Sequence, residues 1–468
     1  MLFCWIKRND SEAGMKHGGW FMAEERGIDK VWQNNFLKKL VRHLCNLRTI
    51  IPLVLVLLGV GMYFLPQTRL HRAASNQLYA LLQEGQVQNL RQLVTADNST
   101  ARRIMWQSSS PMESPRVAVR LAGRADGELF YDAEQDFWSD DGSENYQYTV
   151  LVDNLQPGTE YEYAVIDKES RSGWHRLKTS SGDKPFKMLI FPDSQSADYS
   201  GWQQLAQGAW ERNQDASLVT NMGDLVDNGE DSSQWRAWFR GLDNIISQSA
   251  FAPVMGNHEC YDKNWQMRLP AAYLGYFQTP ANGSSQYDRY YYSFDYGAVH
   301  FVVLCTSDYE LAEFQQDLLA EQLAWLRQDL SSSDKPWKVV LMHRDVLQYR
   351  IHNRPERLEG FSEEGIAFMP VFEEFNVDAV LTAHLHTYRN RGHLFQRDSA
   401  DKGPVYILTG VAGDVRYPNL WIDHALDKVT APQPENGNYL TMDVAADILN
   451  IRCYLADGTQ IDEVTLTK

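Results

Sequence analysis

Two histidines one residue apart, His384 and His386, follow Val380-Leu381-Thr382-Ala383, a run with the pattern of a short buried strand. Each can offer one neutral nitrogen from the same loop, which is what two metal ions held side by side require. Four further segments carry residues of ligating type, in chain order: Asp193-Ser194-Gln195, Gly223-Asp224-Leu225-Val226-Asp227, Gly256-Asn257-His258-Glu259 and the single His343. Taken singly, each has an ordinary explanation. Gly-Asp after a strand makes a turn, Asn-His after glycine makes a capped loop, and a lone histidine is usually a hydrogen-bonded structural residue. Together they fit one chemistry. Asp224 can bridge two divalent ions about 3.5 to 4 Å apart. Asp193, Gln195 and His386 then complete one shell, and Asn257, His343 and His384 the other. Oxygen and nitrogen donors without thiolate suit Mn, Fe, Zn or Mg better than copper(I) or an iron–sulfur cluster. Such a pair yields hydroxide from a bound water near neutral pH and clamps phosphoryl oxygens for in-line attack. His258, beside Asn257, is left free to protonate the departing alkoxide.

Strands must deliver these residues. Short apolar runs stand before nearly all of them: Phe186 to Phe191, Leu218 to Asn221, Ala252 to Met255, Lys338 to Met342 and Ala379 to Thr382, with Val299 to Leu304 as a sixth run that no ligand follows. Helical stretches alternate with them, such as Leu318 to Leu330 and the one begun by Ser362-Glu363-Glu364, whose acidic residues suit a first turn. The pattern predicts an α/β domain with its site at the carboxyl ends of strands, along the same edge of one sheet. Tyr439 to Thr467 returns to alternating strands, broken at Asp457-Gly458, which are expected to finish a second sheet packed against the first.

Ahead of this domain, Ser99 to Thr179 holds short alternating runs separated by polar and Gly-rich stretches, predicting an all-β sandwich. Tyr161 in Asn154-Leu155-Gln156-Pro157-Gly158-Thr159-Glu160-Tyr161 is expected to close a corner through its hydroxyl, as in fibronectin type III domains, which this turn resembles. Leu78, Leu81, Leu82, Val87, Leu90 and Leu93 fall at roughly helical spacing, predicting an amphipathic stalk helix over 75–95 that packs on the next domain. Residues 49–65 are 17 uncharged residues, TIIPLVLVLLGVGMYFL, just enough to span a bilayer core as a helix. Basic residues crowd the amino side of that run, so residues 1–48 are expected to stay cytoplasmic and the rest to be exported behind a transmembrane signal-anchor. A cleaved signal peptide is the alternative, with Ala73-Ala74-Ser75 as a distant cleavage site. A second methionine, Met22, offers another start.

The chain of 468 residues has room for two folded domains, and 12% aromatic content marks it as globular. A formal charge of -17 argues against nucleic-acid binding. Five widely spaced cysteines imply neither a disulfide framework nor a thiolate metal cluster.

Residues 186–410 resemble the calcineurin-like metallophosphoesterase superfamily, with its ordered D-x-H, G-D, G-N-H-D/E, H and G-H-x-H motifs. More narrowly, Tyr291-Tyr292-Ser293-Phe294-Asp295-Tyr296-Gly297-Ala298-Val299-His300-Phe301, Gln322-Leu323-Ala324-Trp325-Leu326 and His384 through Arg391 are similar to phrases of the purple acid phosphatase branch. The resemblance covers about residues 99 to 467. It implies two packed mixed β-sheets flanked by helices over 186–468, a fibronectin type III-like sandwich over 99–180, and hydrolysis of phosphate esters; the stalk over 66–98 is expected from its own leucine spacing and lies ahead of the resemblance. It implies two divalent or trivalent ions (Fe, Mn or Zn), the ligands named above, His258 as the acid and His352, nine residues past His343, as a substrate contact, although His352 also reads as a surface histidine. Three positions depart from the branch. Gln195 stands for a histidine, Asp227 for the tyrosine that gives purple members their colour, and Ala383 for a glycine. The expectation is a membrane-anchored, extracytoplasmic phosphomonoesterase. The alternatives are a phosphodiesterase acting on nucleotides or cell-surface polymers, and a surface binding protein whose phosphatase fold has degenerated at Gln195 and Asp227. Cys260 to Arg289 and Asp345 to Leu358, which would shape the substrate pocket, are rich in tyrosine and arginine, suiting aromatic walls and phosphate contacts.

Overall fold

The apolar runs seen in the sequence become the inner strands of two sheets, because a strand covered on both faces must be apolar at every position. In the computed structural model, which describes residues 69–83 and 85–468 together with Pro52, strands β1 (Gln88–Leu93) and β2 (Arg102–Ser108) come first. Next in the sandwich are β3 (Arg116–Leu121), β4 (Leu129–Asp132), β5 (Glu134–Asp140), β6 (Ser143–Val152), β7 (Glu160–Asp167) and β8 (His175–Lys178). The larger domain then brings β9 (Phe186–Phe191), β10 (Leu218–Asn221), β11 (Ala250–Pro253), β12 (Tyr292–Tyr296), β13 (Val299–Leu304), β14 (Trp337–Met342), β15 (Ala379–Thr382), β16 (Tyr388–Phe395) and β17 (Val405–Thr409). The chain closes with β18 (Asn438–Val444), β19 (Ile448–Leu455) and β20 (Gln460–Thr467).

One ten-stranded sheet runs in the order β20-β19-β18-β9-β10-β11-β1-β2-β6-β5, and a second begins β12-β13-β14-β15-β17-β16. Alternate residues of the inner strands face each other across the gap. Met188, Ile190, Leu218 and Ala252 of the first sheet share a core with Phe301, Val339, Leu341, Leu381 and Ile407 of the second. The other faces are covered by helices. Leu189, Phe191, Val219 and Phe251 pack on α2 (Ser200–Arg212), α3 (Ser232–Gly241) and α4 (Ala271–Tyr276). Val302, Val340, Val380 and Tyr406 pack on α5 (Leu318–Ser332) and α6 (Glu363–Glu374). The last of these starts where the sequence says, with Ser362 accepting the Gly365 N–H at 3.0 Å.

Several expectations change. The candidate ligands do not lie along one sheet: β9, β10 and β11 belong to the first, β14 and β15 to the second. The carboxy-terminal strands extend the first sheet through the β9–β18 pair instead of finishing the second. The third ligand-bearing strand ends at Pro253, two residues earlier than expected.

The stalk helix over 75–95 is also revised. Helix α1 spans Arg69–Leu82, and Gly85 then adopts a left-handed φ of 73° that a helix cannot continue through. Residues 88–93 become β1, antiparallel to β2 and parallel to β11, so they splice the sandwich into the first sheet. The leucines do not pack as expected, since Leu78, Leu81 and Leu82 are exposed. The helix is held instead by polar contacts, Asn76 Nδ2 donating to the Asp141 carbonyl at 2.8 Å and Arg236 Nη2 donating to Asn76 Oδ1 at 2.9 Å.

The sandwich is present. Ile104, Trp106, Tyr148 and Val150 of one layer meet Val117, Val119, Tyr163, Val165 and Leu177 of the other. Tyr161 closes its corner by accepting the Gln156 N–H at 2.9 Å. Segment 1–48 and the apolar run 49–65, Pro52 apart, lie outside the described residues. No helix among the described residues is long and apolar enough to cross a membrane.

Candidate metal centre

Asp193 follows β9, Gly223 and Asp224 follow β10, Gly256 and Asn257 follow β11, His343 follows β14, and His384 and His386 follow β15. Five strand ends from two facing sheets therefore converge. The convergence needs unusual backbone: Asp224, His384 and His386 all have left-handed φ, at 47°, 75° and 53°. Each such residue costs on the order of 1 kcal/mol, a strain that clusters where side-chain aim matters more than backbone comfort. Two glycines are obligatory neighbours. A Cβ on Gly223 would stand 2.5 Å from His343 Nδ1, and one on Gly256 would stand 2.2 Å from Asp224 Oδ1. Ala383 takes the place of the branch's glycine without strain, fully buried and donating its N–H to the His343 carbonyl at 2.7 Å.

Two donor groups form around one shared carboxylate. Asp224, His343 and His384 have ligand atoms within 4.8 Å of one another, and so have Asp193, Asp224 and His386. In the first group, His343 Nε2 lies 3.1 Å from Asp224 Oδ2, 3.2 Å from Asn257 Oδ1 and 3.2 Å from His384 Nδ1. In the second, His386 Nε2 lies 3.7 Å from Asp193 Oδ1 and 3.2 Å from Gln195 Nε2. All seven predicted ligands are brought together in this way. The opposite ring nitrogens of two histidines are tied down. His343 Nδ1 donates to the Met222 carbonyl at 3.0 Å and His386 Nδ1 to that of Val415 at 2.9 Å, which leaves each Nε2 as the free donor atom for a metal.

The electrostatics suit a cation. Burial opposes ionisation of Asp224, yet His343 and His258 beside it hold its carboxyl well below the usual range. Burial pushes Asp193 up, to about 7, against the pull of His343. Burial lowers His384 well below the ordinary imidazole value, with His343 adding to the effect, and lowers His386 to about 4, so both rings present neutral nitrogens. For His343, burial is outweighed by Asp224, which raises it to about 9, so a metal taking its Nε2 displaces a proton. The Gln195 carbonyl oxygen is buried without a hydrogen-bond partner, an uncommon state for such an atom. A half-turn of that amide brings the oxygen to the position facing His386 Nε2, where a metal would satisfy both.

His258 sits at the rim of this cluster. Its N–H donates to Asp224 Oδ1 at 2.9 Å and its Nδ1 to the Asp227 carbonyl at 2.8 Å, leaving Nε2 turned toward the centre, 3.8 Å from Asp224 Oδ2. Asp227, the residue in the tyrosine position, holds its Oδ1 3.6 Å from His258 Nδ1. His352 is apart from the cluster, an exposed residue in the wall of a cavity of about 210 Å³ that His386 and Tyr417 also line.

Two structural supports were not legible. Glu259, quoted in the motif without a role, is buried and accepts the N–H groups of Gly256, Asp224, Leu225 and Val226 at 2.7 to 3.3 Å, clasping the two ligand loops together. Behind His343 and His384 lies a buried network. Arg391 Nη2 donates to Asp345 Oδ2 at 2.6 Å and to the Tyr349 hydroxyl at 2.7 Å, while its Nε donates to Asp427 Oδ1 at 3.2 Å. Thr382, the last residue of β15, donates its hydroxyl to Asp345 at 2.6 Å. Arg391→Met is expected to destabilise the fold by about 3–5 kcal/mol, because it removes the guanidinium shared by two buried carboxylates. Urea denaturation measures this, and a loss below about 1 kcal/mol would mean that the network carries little of the support assigned to it.

Comparison with known proteins agrees with this geometry. Residues 186–388 match the model of the calcineurin-like phosphoesterases, and residues 87–179 match that of the purple acid phosphatase N-terminal domain. Purple acid phosphatase 15 of Arabidopsis thaliana is 29% identical over 205 residues, covering 43% of this chain and 36% of that protein. Purple acid phosphatase 23 of the same plant is 26% identical over 318 residues, covering 59% and 65%. The chain thus spans less than two thirds of the length of each of these curated relatives. Among solved structures, the purple acid phosphatase PPD1 from yellow lupin (Lupinus luteus) seeds superposes with a TM-score of 0.68 at 17% identity, covering 81% of this chain and 74% of that one. The second domain match begins at residue 87, one residue before β1, so the splice between sandwich and first sheet lies inside the matched region. The chain therefore joins a purple acid phosphatase N-terminal domain to a calcineurin-like metallophosphoesterase domain.

Proposed function

We propose that this protein hydrolyses phosphate esters, with phosphomonoesters as its substrates, at a two-metal centre held by Asp193, Gln195, Asp224, Asn257, His343, His384 and His386. The observation that carries the reading is the position of Asp224, one ionised carboxylate common to two groups of buried or half-buried donors. The orphaned Gln195 oxygen and the neutral His384 and His386 fit the same assignment. When bound, the ion pair supplies a lowered water pKa and positive charge for the phosphoryl oxygens. The chain's own residues do the rest. Burial lowers the His258 pKa, but Asp224, Asp227 and Glu259 raise it further, so the net shift favours the protonated ring. With Nδ1 donating to the Asp227 carbonyl, the transferable proton is the one on Nε2, and the leaving oxygen is the group that receives it. His352, in the cavity wall, is read as a substrate contact outside the metal cluster.

The apolar run 49–65 and the basic residues before it support a membrane-tethered, extracytoplasmic location. Full-length chain reconstituted with Mn, Fe or Zn is expected to hydrolyse 4-nitrophenyl phosphate at least about tenfold faster than bis(4-nitrophenyl) phosphate, read as kcat/KM. A diester preference would move the assignment to phosphodiesterase, and no hydrolysis of either ester would sink it.

A further inference from the structure

With His258 as the acid of the reading above, the leaving group of a bound ester lies on the His258 side of the centre, and that side has an aromatic wall. The rings of His258, Tyr261 and Trp265 lie with centroids 5.5, 5.8 and 6.0 Å apart, and Trp265 stands at 88° to the His258 imidazole. Tyr261 is fixed from behind, its hydroxyl donating to Glu310 at 3.1 Å, which in turn accepts from Arg344 at 2.5 Å. Trp265 is different. It is 52% exposed, and its backbone holds a left-handed φ of 61°. Bulky residues rarely accept that conformation.

The loop is made to hold it there. The Asp262 carboxylate accepts the N–H groups of Asn264 at 2.7 Å and Gln266 at 2.8 Å, and the Trp265 N–H donates to the Asp262 carbonyl at 3.0 Å. Asn228, on the loop after Asp224, donates its amide to that same carbonyl at 3.0 Å, so the tryptophan loop is tied to the metal-ligand loop. Met267 and Leu269 continue an exposed apolar edge along the same segment.

We infer that Trp265 is a specificity-determining residue that receives a flat unsaturated ring of the leaving group on its open face, selecting aryl-type phosphate esters over esters of small aliphatic polyols. This rests on the phosphomonoesterase reading above. One ring of the wall is the proposed proton donor to the leaving oxygen, and the next is apolar, open to solvent and carried on a hydrogen-bonded loop. Ring-on-ring contact is the interaction such a surface offers.

The test compares kcat/KM for 4-nitrophenyl phosphate with that for glycerol 2-phosphate on the metal-loaded full chain, in wild type, Trp265→Ala and Trp265→Phe. The aryl-to-glycerol ratio is expected to fall about tenfold in Trp265→Ala, mainly through KM for the aryl ester, and to recover most of its value in Trp265→Phe. A ratio that stays within twofold of wild type, or rises, overturns the assignment of Trp265 while leaving phosphatase activity intact. Wild-type protein that hydrolyses neither ester overturns the phosphatase reading itself, and this one with it.

Discussion

Asp224→Ala is expected to empty both metal positions, taking the bound metal from two equivalents per chain to below half of one. Every other donor is local to one group, but Asp224 Oδ2 lies 3.1 Å from His343 Nε2 while Asp224 also belongs with Asp193 and His386. Removing it takes away the single negative charge shared by two cations that repel each other, and leaves His343 without its nearest carboxylate. Hydrolysis should fall by at least about a thousandfold. The fold should survive, because the Asp224 and Leu225 N–H groups remain clasped by Glu259. Asp224→Asn separates charge from shape: its oxygen remains, but a neutral amide bridges two cations poorly, so metal should again be lost. Metal analysis on gel-filtered protein decides, and two equivalents retained in Asp224→Ala would remove Asp224 from the bridging role.

The second large effect is that of His258→Ala. It should leave two metals bound yet cut kcat for alkyl phosphates by about 10²–10⁴, the usual contribution of general acid catalysis. The loss should be much smaller for 4-nitrophenyl phosphate, whose leaving phenolate needs little protonation. That dependence on leaving group distinguishes proton donation from a packing role beside Trp265. Equal losses on the two esters would show that His258 acts by position alone.

The centre was legible because its residues are chemically distinctive and each stands at the end of a run with a clear apolar pattern. Asp193, Asp224, Asn257, His343, His384 and His386 needed no knowledge of the fold to be grouped. Their division between two sheets was not legible, because both sheets are buried on both faces and their strands read alike. Met188 and Val339 belong to different sheets but carry the same periodicity signal, none. The error over 75–95 has a related cause. Leu90 and Leu93 extend a helical spacing that begins at Leu78, and only the backbone at Gly85 shows that the periodicity is broken. β1 also turns a fully buried Arg91 inward, where its Nε and Nη2 donate to the Tyr276 carbonyl at 2.9 and 2.6 Å. A buried arginine is a poor sequence signal for a central strand. Glu259 was hidden for a different reason: its role lies in four backbone N–H groups, which carry no residue identity.

Metal titration of the full-length chain, followed by hydrolysis of 4-nitrophenyl phosphate, tests the two-metal account most directly. Stripped protein should be inactive, and activity should rise with added Mn or Zn until it saturates at two equivalents per chain. Full activity in the stripped protein, or saturation with fewer than one equivalent bound, would contradict a centre built on the shared carboxylate of Asp224.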